Sequence, residues 1–172
     1  MQGLAQQANV LYLGTFSKVL FPSLRIGYMV VPQVLAGVFG KAKWLMDRHT
    51  AMLEQHALTD FINDGLFDRH LRRMRTLYDG RRRKLVGALQ THFAERVTIL
   101  GENSGMHLMI RLRVRWSDKE VLQRAAAAGV GLLTAEMNYL AKAPGNEFVL
   151  GYSTLGERRI QEGVRRLAKA LL

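Results

Sequence analysis

The sequence predicts an α/β fold, and three observations carry this prediction. Short apolar runs of strand length alternate with longer stretches in which apolar residues recur every three or four positions. Two Ser/Thr-x-x-Glu sequences stand before such helical stretches, where they are typical of helix starts. The composition of the 172 residues, with 48% hydrophobic and 23% charged, is that of a globular chain of one domain or slightly more.

The N-terminal part predicts two strands followed by three helices. Apolar runs at 10–13 and 25–31 indicate the strands, and the first is expected to be buried because it is apolar throughout. The first helical pattern follows Pro32, and the second begins near Met52. The third is long and runs from just after Gly65 to near His92, at the end of an extended series of apolar residues.

The C-terminal part predicts strands and helices in alternation. Strands are expected at 97–100, 106–110, 130–133 and 148–152. Ser117 and Glu120 form a capping box that opens a helix through Ala128. A second capping box, Thr154 with Glu157, is expected to open the last helix. That helix carries apolar residues on one face, at Ile160, Val164, Leu167 and Leu171.

The order of elements predicts two domains, at residues 1–63 and 64–172. Two strands and two helices do not cover both faces of a sheet, so residues 1–63 are expected to be the end of a larger domain. Residues 64–172 are long enough for a small α/β domain with helices on one face of its sheet.

Several classes of protein are excluded by composition. The chain has no cysteine, which excludes a disulfide scaffold and cysteine-ligated zinc. No apolar run approaches the roughly 20 residues that span a bilayer, and the N-terminus lacks the pattern of a signal peptide. The five histidines include no HExxH pair, and no metal site is predicted. A cytoplasmic protein without a membrane partner is expected.

The charge is strongly basic, with 25 Lys and Arg against 14 acids and a formal net charge of +11. Such an excess is typical of proteins that bind nucleic acid, anionic lipid or phosphorylated ligands. Residues 69–84 hold eight basic residues opposed only by Asp79. One interpretation is a basic helix that lies along phosphates. The interpretation we favour is a helix face that is either solvated or paired with acids elsewhere.

A candidate cofactor site lies around Lys18. A lysine at the end of a buried strand is partly desolvated, which favours the neutral amine that attacks an aldehyde. Thr15 and Ser17 supply two hydroxyls for a phosphate, and Arg25 supplies a planar fork that matches a phosphate dianion. This chemistry suits pyridoxal phosphate. Lysines near strand ends also commonly extend into water, so the residues alone leave both interpretations open.

The segment 12–28 closely resembles the lysine segment of fold-type I aminotransferases, whose pattern is Ser/Thr-x-Ser-Lys followed by Arg-x-Gly. The resemblance implies the C-terminal portion of a fold-type I pyridoxal phosphate-dependent transferase, made of the end of the large domain and the α/β small domain. It implies that Lys18 forms the Schiff base with the cofactor, as an internal aldimine. It also implies that Thr15, Ser17 and Arg25 hold the cofactor's phosphate.

Two further segments resemble one branch of that family. Residues 67–75, with Tyr78 and Arg81-Arg82 after them, and Gly105-Met106-His107-Leu108 are similar to the MocR subfamily of GntR-type bacterial regulators. Those proteins join a winged-helix DNA-binding domain to an aminotransferase-like domain. The resemblance implies a homodimeric transcriptional regulator that binds DNA through a winged helix absent from this chain, which matches only the C-terminal part.

One departure from the aminotransferase pattern bears on activity. Val149 stands where free aminotransferases carry an arginine for the substrate carboxylate, which argues against transamination of amino acids. The alternatives are a free-standing aminotransferase that uses the same lysine, and a stand-alone module that binds nucleic acid. Enzymatic activity is thus left open. Tyr139 is a further candidate for the site, with packing on the small-domain sheet as its alternative role.

Overall fold

A computed structural model of the chain describes residues 10–48, 50–101 and 105–172. It divides into two compact units, Met1–Arg72 and Arg73–Leu172, which we treat separately as the first and second units. The division lies inside one long helix. The domain boundary at residue 63, expected from the sequence, stays a prediction.

The first unit is a β-hairpin followed by helices. Strands β1 and β2 pair antiparallel, with Thr15 opposite Gly27 and Tyr12 opposite Val30. A short 3-10 helix, Pro22–Leu24, lies in the connection between them. The elements are β1 (Tyr12–Thr15), β2 (Gly27–Val30), α1 (Gln33–Asp47), α2 (Met52–Asn63) and the start of α3 (Leu66–Phe93). The two strands and three helices predicted for this part are therefore present.

The expectation that the first strand is buried is wrong for this chain. Tyr12 is 49% exposed and Leu13 is 68% exposed, and α1 has no buried residue. Among the described residues of the first unit, only Leu58 is buried. A two-stranded sheet presents two faces, and the described part of this unit has too few elements to cover both.

The second unit is built on a four-stranded antiparallel sheet in the order β3-β4-β6-β5. The strand predicted at 130–133 is displaced toward its C-terminal end and is short. The elements after α3 are β3 (Val97–Gly101), β4 (His107–Leu112), α4 (Asp118–Ala127), β5 (Leu133–Thr134), β6 (Glu147–Gly151) and α5 (Glu157–Leu171).

One face of this sheet forms the core. Alternate residues of β4 and β6 are buried on that face, since side chains alternate between the two faces of a strand. They pack against the C-terminal half of α3 and against α4 and α5. The core is centred on Leu89, Phe93, Leu108, Ile110, Val121, Phe148 and Leu167, none of which is more than 1% exposed. The predicted apolar face of α5 is buried here, with all four of its residues.

The two predicted capping boxes have different outcomes. At α4, the Ser117 hydroxyl accepts from the Glu120 backbone N–H, and the Glu120 carboxylate accepts from the Ser117 N–H at 2.9 Å. The Ser117 N–H and hydroxyl both donate to the Glu120 carboxylate, and these two bonds lower the pKa of Glu120. At α5 the prediction is wrong, because the N-cap is Gly156 and no side chain caps the helix. Thr154 lies in the preceding turn, so Glu157 is the first helical residue and not the third.

No helix of the described residues is both long and apolar enough to cross a bilayer.

Candidate functional site

The four predicted site residues lie at one end of the hairpin in the first unit. Thr15 is the last residue of β1, and Arg25 comes two residues before β2 begins. Ser17 and Lys18 lie in the turn directly after β1. Lys18, Thr15 and Arg25 are exposed in this chain, and Ser17 is half-buried. The hairpin therefore gathers an amine, two hydroxyls and a guanidinium at one edge.

Backbone hydrogen bonds fix the turn that carries Lys18. The Phe16 N–H donates to the Ile26 carbonyl at 3.0 Å, which ties the start of the turn to the neighbouring chain. The Leu20 N–H donates to the Phe16 carbonyl at 2.8 Å and closes the turn around Lys18. The Ser17 N–H donates to Thr15 Oγ1 at 3.1 Å, a side-chain bond typical of tight turns. Thr15 and Ser17 are thus held beside the lysine.

Arg25 has a strained backbone. Its φ of 51° and ψ of 28° place it in the left-handed region, which a residue with a Cβ adopts at a cost of roughly 1–2 kcal/mol. Such strain persists where the surrounding structure imposes it, and it is concentrated at functional sites. The strain at Arg25 directly precedes β2.

Aromatic side chains and residues at the start of α3 pack against the lysine turn. The Phe16 ring lies 5.5 Å from that of Tyr28 and 5.7 Å from that of Phe67, which are spacings of favourable aromatic pairs. His70 Nε2 lies 2.8 Å from the Val19 carbonyl oxygen. Sequence reasoning used residues 67–75 only to identify a branch of the family. It missed their supporting role because a contact across some 50 residues leaves no local pattern.

Glycine is required at one position of the hairpin. A Cβ built on Gly14 would lie 2.3 Å from the Tyr28 ring, and no side chain contact is that short. Gly14 therefore leaves the space that the Tyr28 ring occupies.

In the second unit, Val149 lies on the face of the sheet opposite the helices. It is paired in register with Met109 on one side and Leu133 on the other. Its neighbours across the strands are therefore apolar. Tyr139 donates its hydroxyl to Glu147 of β6, and its candidate role at the site stays a prediction.

Glu147 is a buried acid at the centre of a polar cluster that the sequence did not reveal. Its side chain is 2% exposed and accepts from Arg111 Nε at 2.9 Å and from the Tyr139 hydroxyl. Burial raises the pKa of Glu147, but the hydrogen bonds from Tyr139 and Arg111 and the charge of Arg111 outweigh it, so its pKa is lowered. The Tyr139 phenol has a raised pKa because it donates to this carboxylate.

This cluster predicts a specific acid sensitivity. Because the folded-state pKa of Glu147 lies below its ordinary value of 4.5, its contribution to stability is complete above that value and is lost as the pH falls through the folded pKa. We expect Glu147→Gln to be less stable than the wild type near neutral pH, with the difference shrinking as the pH falls. Urea unfolding between about pH 7 and about pH 3 measures this.

Glu95→Gln is the matched control, since Glu95 is exposed and lies outside the cluster. Its stability difference from the wild type should stay small across the same range. A difference for Glu147→Gln that does not change with pH would contradict the assignment.

Among the residues that the structure describes, no group of three or more His, Asp or Glu side chains could hold a metal ion.

Comparison with known proteins places this geometry in context. The family model for aminotransferase class I and II matches residues 1–160. The chain is 40% identical over 173 residues to the probable rhizopine catabolism regulatory protein MocR of Rhizobium meliloti, covering 100% of this chain and 35% of that protein. It is 38% identical over 170 residues to the uncharacterized HTH-type transcriptional regulator YhdI of Bacillus subtilis, covering 99% of this chain and 36% of that protein.

A solved structure is similar across nearly the whole chain. The kynurenine aminotransferase of Pyrococcus horikoshii, crystallised in complex with PMP, superposes with a TM-score of 0.86 at 30% identity. The match covers 98% of this chain and 42% of that protein. The chain thus spans about a third of the length of the two regulators and somewhat more of the enzyme.

Proposed function

The chain belongs to the aminotransferase class I and II family, and from that premise we propose that it is the C-terminal part of a MocR-type transcriptional regulator that binds pyridoxal phosphate. The predicted fold class, the C-terminal portion of a fold-type I pyridoxal phosphate-dependent transferase, is confirmed by the likeness to solved aminotransferases. The observation that carries the proposal is the end of the hairpin, where Thr15, Ser17, Lys18 and Arg25 come together.

The donor set at the end of the hairpin fits this cofactor. Pyridoxal phosphate carries an aldehyde and a phosphate dianion, and when bound it supplies an electron sink for amine chemistry. Lys18 would supply the amine for the aldehyde, and Arg25 would hold the phosphate with its guanidinium N–H groups. The hydroxyls of Thr15 and Ser17 would donate to the phosphate oxygens. The closed turn fixes the backbone around Lys18, so little backbone freedom is lost on binding.

The regulatory role rests on two arguments. The two regulators reported above resemble this chain over at least 99% of its length at 38–40% identity. Val149 gives a substrate carboxylate no cation at the position where aminotransferases carry one, and an unpaired buried carboxylate is strongly disfavoured. The cofactor then acts as an effector that shifts a conformational equilibrium. We propose a homodimer that binds DNA through a winged helix outside this chain and acts in the cytoplasm, where its DNA lies.

A free-standing aminotransferase is the second candidate. The likeness to the P. horikoshii enzyme at 30% identity favours it. In both candidates Lys18 has the same proposed role. They differ in whether an amine that binds to the cofactor is converted. Turnover therefore distinguishes the two candidates.

The test compares promoter binding with amine turnover in the full-length regulator. We expect its affinity for the promoter to change by tenfold or more when pyridoxal phosphate is added. Single-turnover mixing with a panel of amino acids should leave the cofactor spectrum unconverted. Fast conversion without any cofactor-dependent DNA binding would overturn the regulator in favour of the enzyme.

Replacing Arg25 by glycine should affect the stability of the protein and its affinity for the cofactor in opposite directions. Arg25→Gly removes the left-handed strain, so we expect stability to be retained or to rise by up to about 1 kcal/mol. The same change removes the phosphate fork, and we expect affinity for pyridoxal phosphate to fall about 10- to 100-fold. Urea unfolding and cofactor titration on the same samples measure both effects.

Arg48→Gly is the matched control, because Arg48 also has a positive φ, of 50°, and lies outside the hairpin. This substitution should relieve the backbone strain at position 48 without lowering the affinity for pyridoxal phosphate. Equal affinities in the two variants would refute the phosphate role of Arg25.

A further inference from the structure

The positive charge of the chain is concentrated in the second unit. Residues 73–172 hold 18 of the 25 Lys and Arg but nine of the 14 acids, so this part carries +9 of the formal +11. The segment 69–84 that the sequence singled out accounts for only part of that excess.

Helix α5 presents much of this charge on one side. Its residues Ile160, Val164, Leu167 and Leu171 are buried in the core. Because a helix turns 100° per residue, the opposite side carries five cations and one acid. They are Arg158, Arg159, Glu162, Arg165, Arg166 and Lys169.

Two surface grooves that flank α5 extend the charge onto neighbouring helices. The groove toward α3, of about 500 Å³, is lined by Arg83, Lys84 and His92. The groove toward α4, of about 540 Å³, is lined by Arg124, Arg166 and Lys169. Glycines 80 and 87 line the first groove, and alanines 127, 128 and 170 line the second. Small residues let an extended anionic chain come close to the cations.

Acids of the chain neutralise only part of this surface. Glu162 pairs with Arg165 and Arg166, each at 2.8 Å, and Asp79 pairs with Arg83 at 2.9 Å. By contrast, the side chains of Arg158, Arg159 and Lys169 make no hydrogen bond or ion pair with any residue that the structure describes. These three cations are available to an anionic partner.

We propose that this α5 basic face binds the phosphodiester backbone of double-stranded DNA without reading its sequence. The face comprises Arg83, Lys84, Arg124, Arg158, Arg159, Arg165, Arg166 and Lys169. From residue 158 to 169 the helix spans about 16 Å. That length of duplex presents on the order of ten phosphate charges.

Other polyanions fit the face less well. The side of α5 turned to solvent has no apolar residue to insert into a lipid surface. It also has no aromatic residue on which the bases of a single strand would stack, and the Trp116 ring beside Arg124 is already engaged by Arg124 and Arg115. A row of cations on a straight helix suits the regular backbone of a duplex.

The experiment uses the 172-residue chain and a 30-base-pair DNA of arbitrary sequence, without cofactor, followed by fluorescence anisotropy from about 25 to 200 mM salt. We expect the affinity to fall steeply with salt. The triple variant Arg158→Gln, Arg159→Gln and Lys169→Gln should lower the slope of log K against log salt by about 0.9 per lost phosphate contact. At the lowest salt it should bind at least tenfold more weakly.

The control variant removes the same charge elsewhere, by Lys41→Gln, Lys119→Gln and Lys142→Gln, all exposed and outside the face. It should keep most of the slope and affinity. Equal losses of DNA affinity in the two triple variants would mean that net charge explains the effect, and would overturn the proposal. The absence of DNA binding at the lowest salt would also overturn it, as would tighter binding to duplex RNA or polyglutamate. Since neither cofactor nor promoter is present, failure here is separate from failure of the proposed regulator.

Discussion

Replacing Lys18 by alanine will abolish covalent retention of pyridoxal phosphate by the full-length regulator. An amine is the group in the hairpin site that can bond the aldehyde, whereas hydroxyls and guanidinium hold only the phosphate. Borohydride reduction followed by peptide mapping should place the label on Lys18 in the wild type and reduce it to background in the variant. Residual weak binding through Thr15, Ser17 and Arg25 should remain in equilibrium titrations.

Lys41→Ala serves as the control, since Lys41 is an exposed lysine of α1 at a distance in sequence from the lysine turn. It should retain full labelling. Label on a different lysine of the wild type, or an unchanged spectrum in Lys18→Ala, would contradict the assignment.

The elements that the sequence predicted well are those with local causes. The apolar period of α5 holds because all four predicted residues are buried, and the capping box at Ser117 holds because its two partners are three residues apart. The same pattern at Thr154 fails because a turn intervenes, which composition does not encode. β5 is short and displaced, since its extent depends on pairing with β6.

The parts that sequence reasoning missed depend on distant contacts. Glu147 meets Arg111 because the two are opposite in the β4–β6 register, 36 residues apart along the chain. His70 meets Val19 across 51 residues. The left-handed backbone of Arg25 also has no signal, since arginine is not a residue that favours that region. At the site, the sequence provided the residue types and their spacing, whereas the supports beneath them came from tertiary structure.

Introducing an arginine at position 149 should raise the affinity of the protein for amino acids. Val149 lies between Met109 and Leu133 on the open face of the sheet, so a ligand carboxylate has no cation there. A charge-assisted bond contributes about 1.5–3 kcal/mol, so Val149→Arg should raise the affinity for amino acids about 10- to 100-fold. Cofactor absorbance during titration of the full-length protein measures this.

The neighbouring acid should not capture the introduced guanidinium. Glu147 lies two residues away on the same face, and its carboxylate already accepts two hydrogen bonds from Arg111 and one from Tyr139. We therefore expect the new guanidinium to pair with the free carboxylate of the ligand in preference to this engaged acid. Decarboxylated amines provide the test of mechanism, since they lack the group that the arginine binds, and their affinity should stay the same or fall.

The control for this substitution is Leu133→Arg, which adds the same charge at the adjacent position on the edge strand. It should raise the affinity for amino acids much less, because a bidentate bond depends on position as well as charge. Equal gains for amino acids and amines in Val149→Arg, or equal gains in the two variants, would mean that net charge explains the effect. Position 149 would then have no special part in carboxylate recognition.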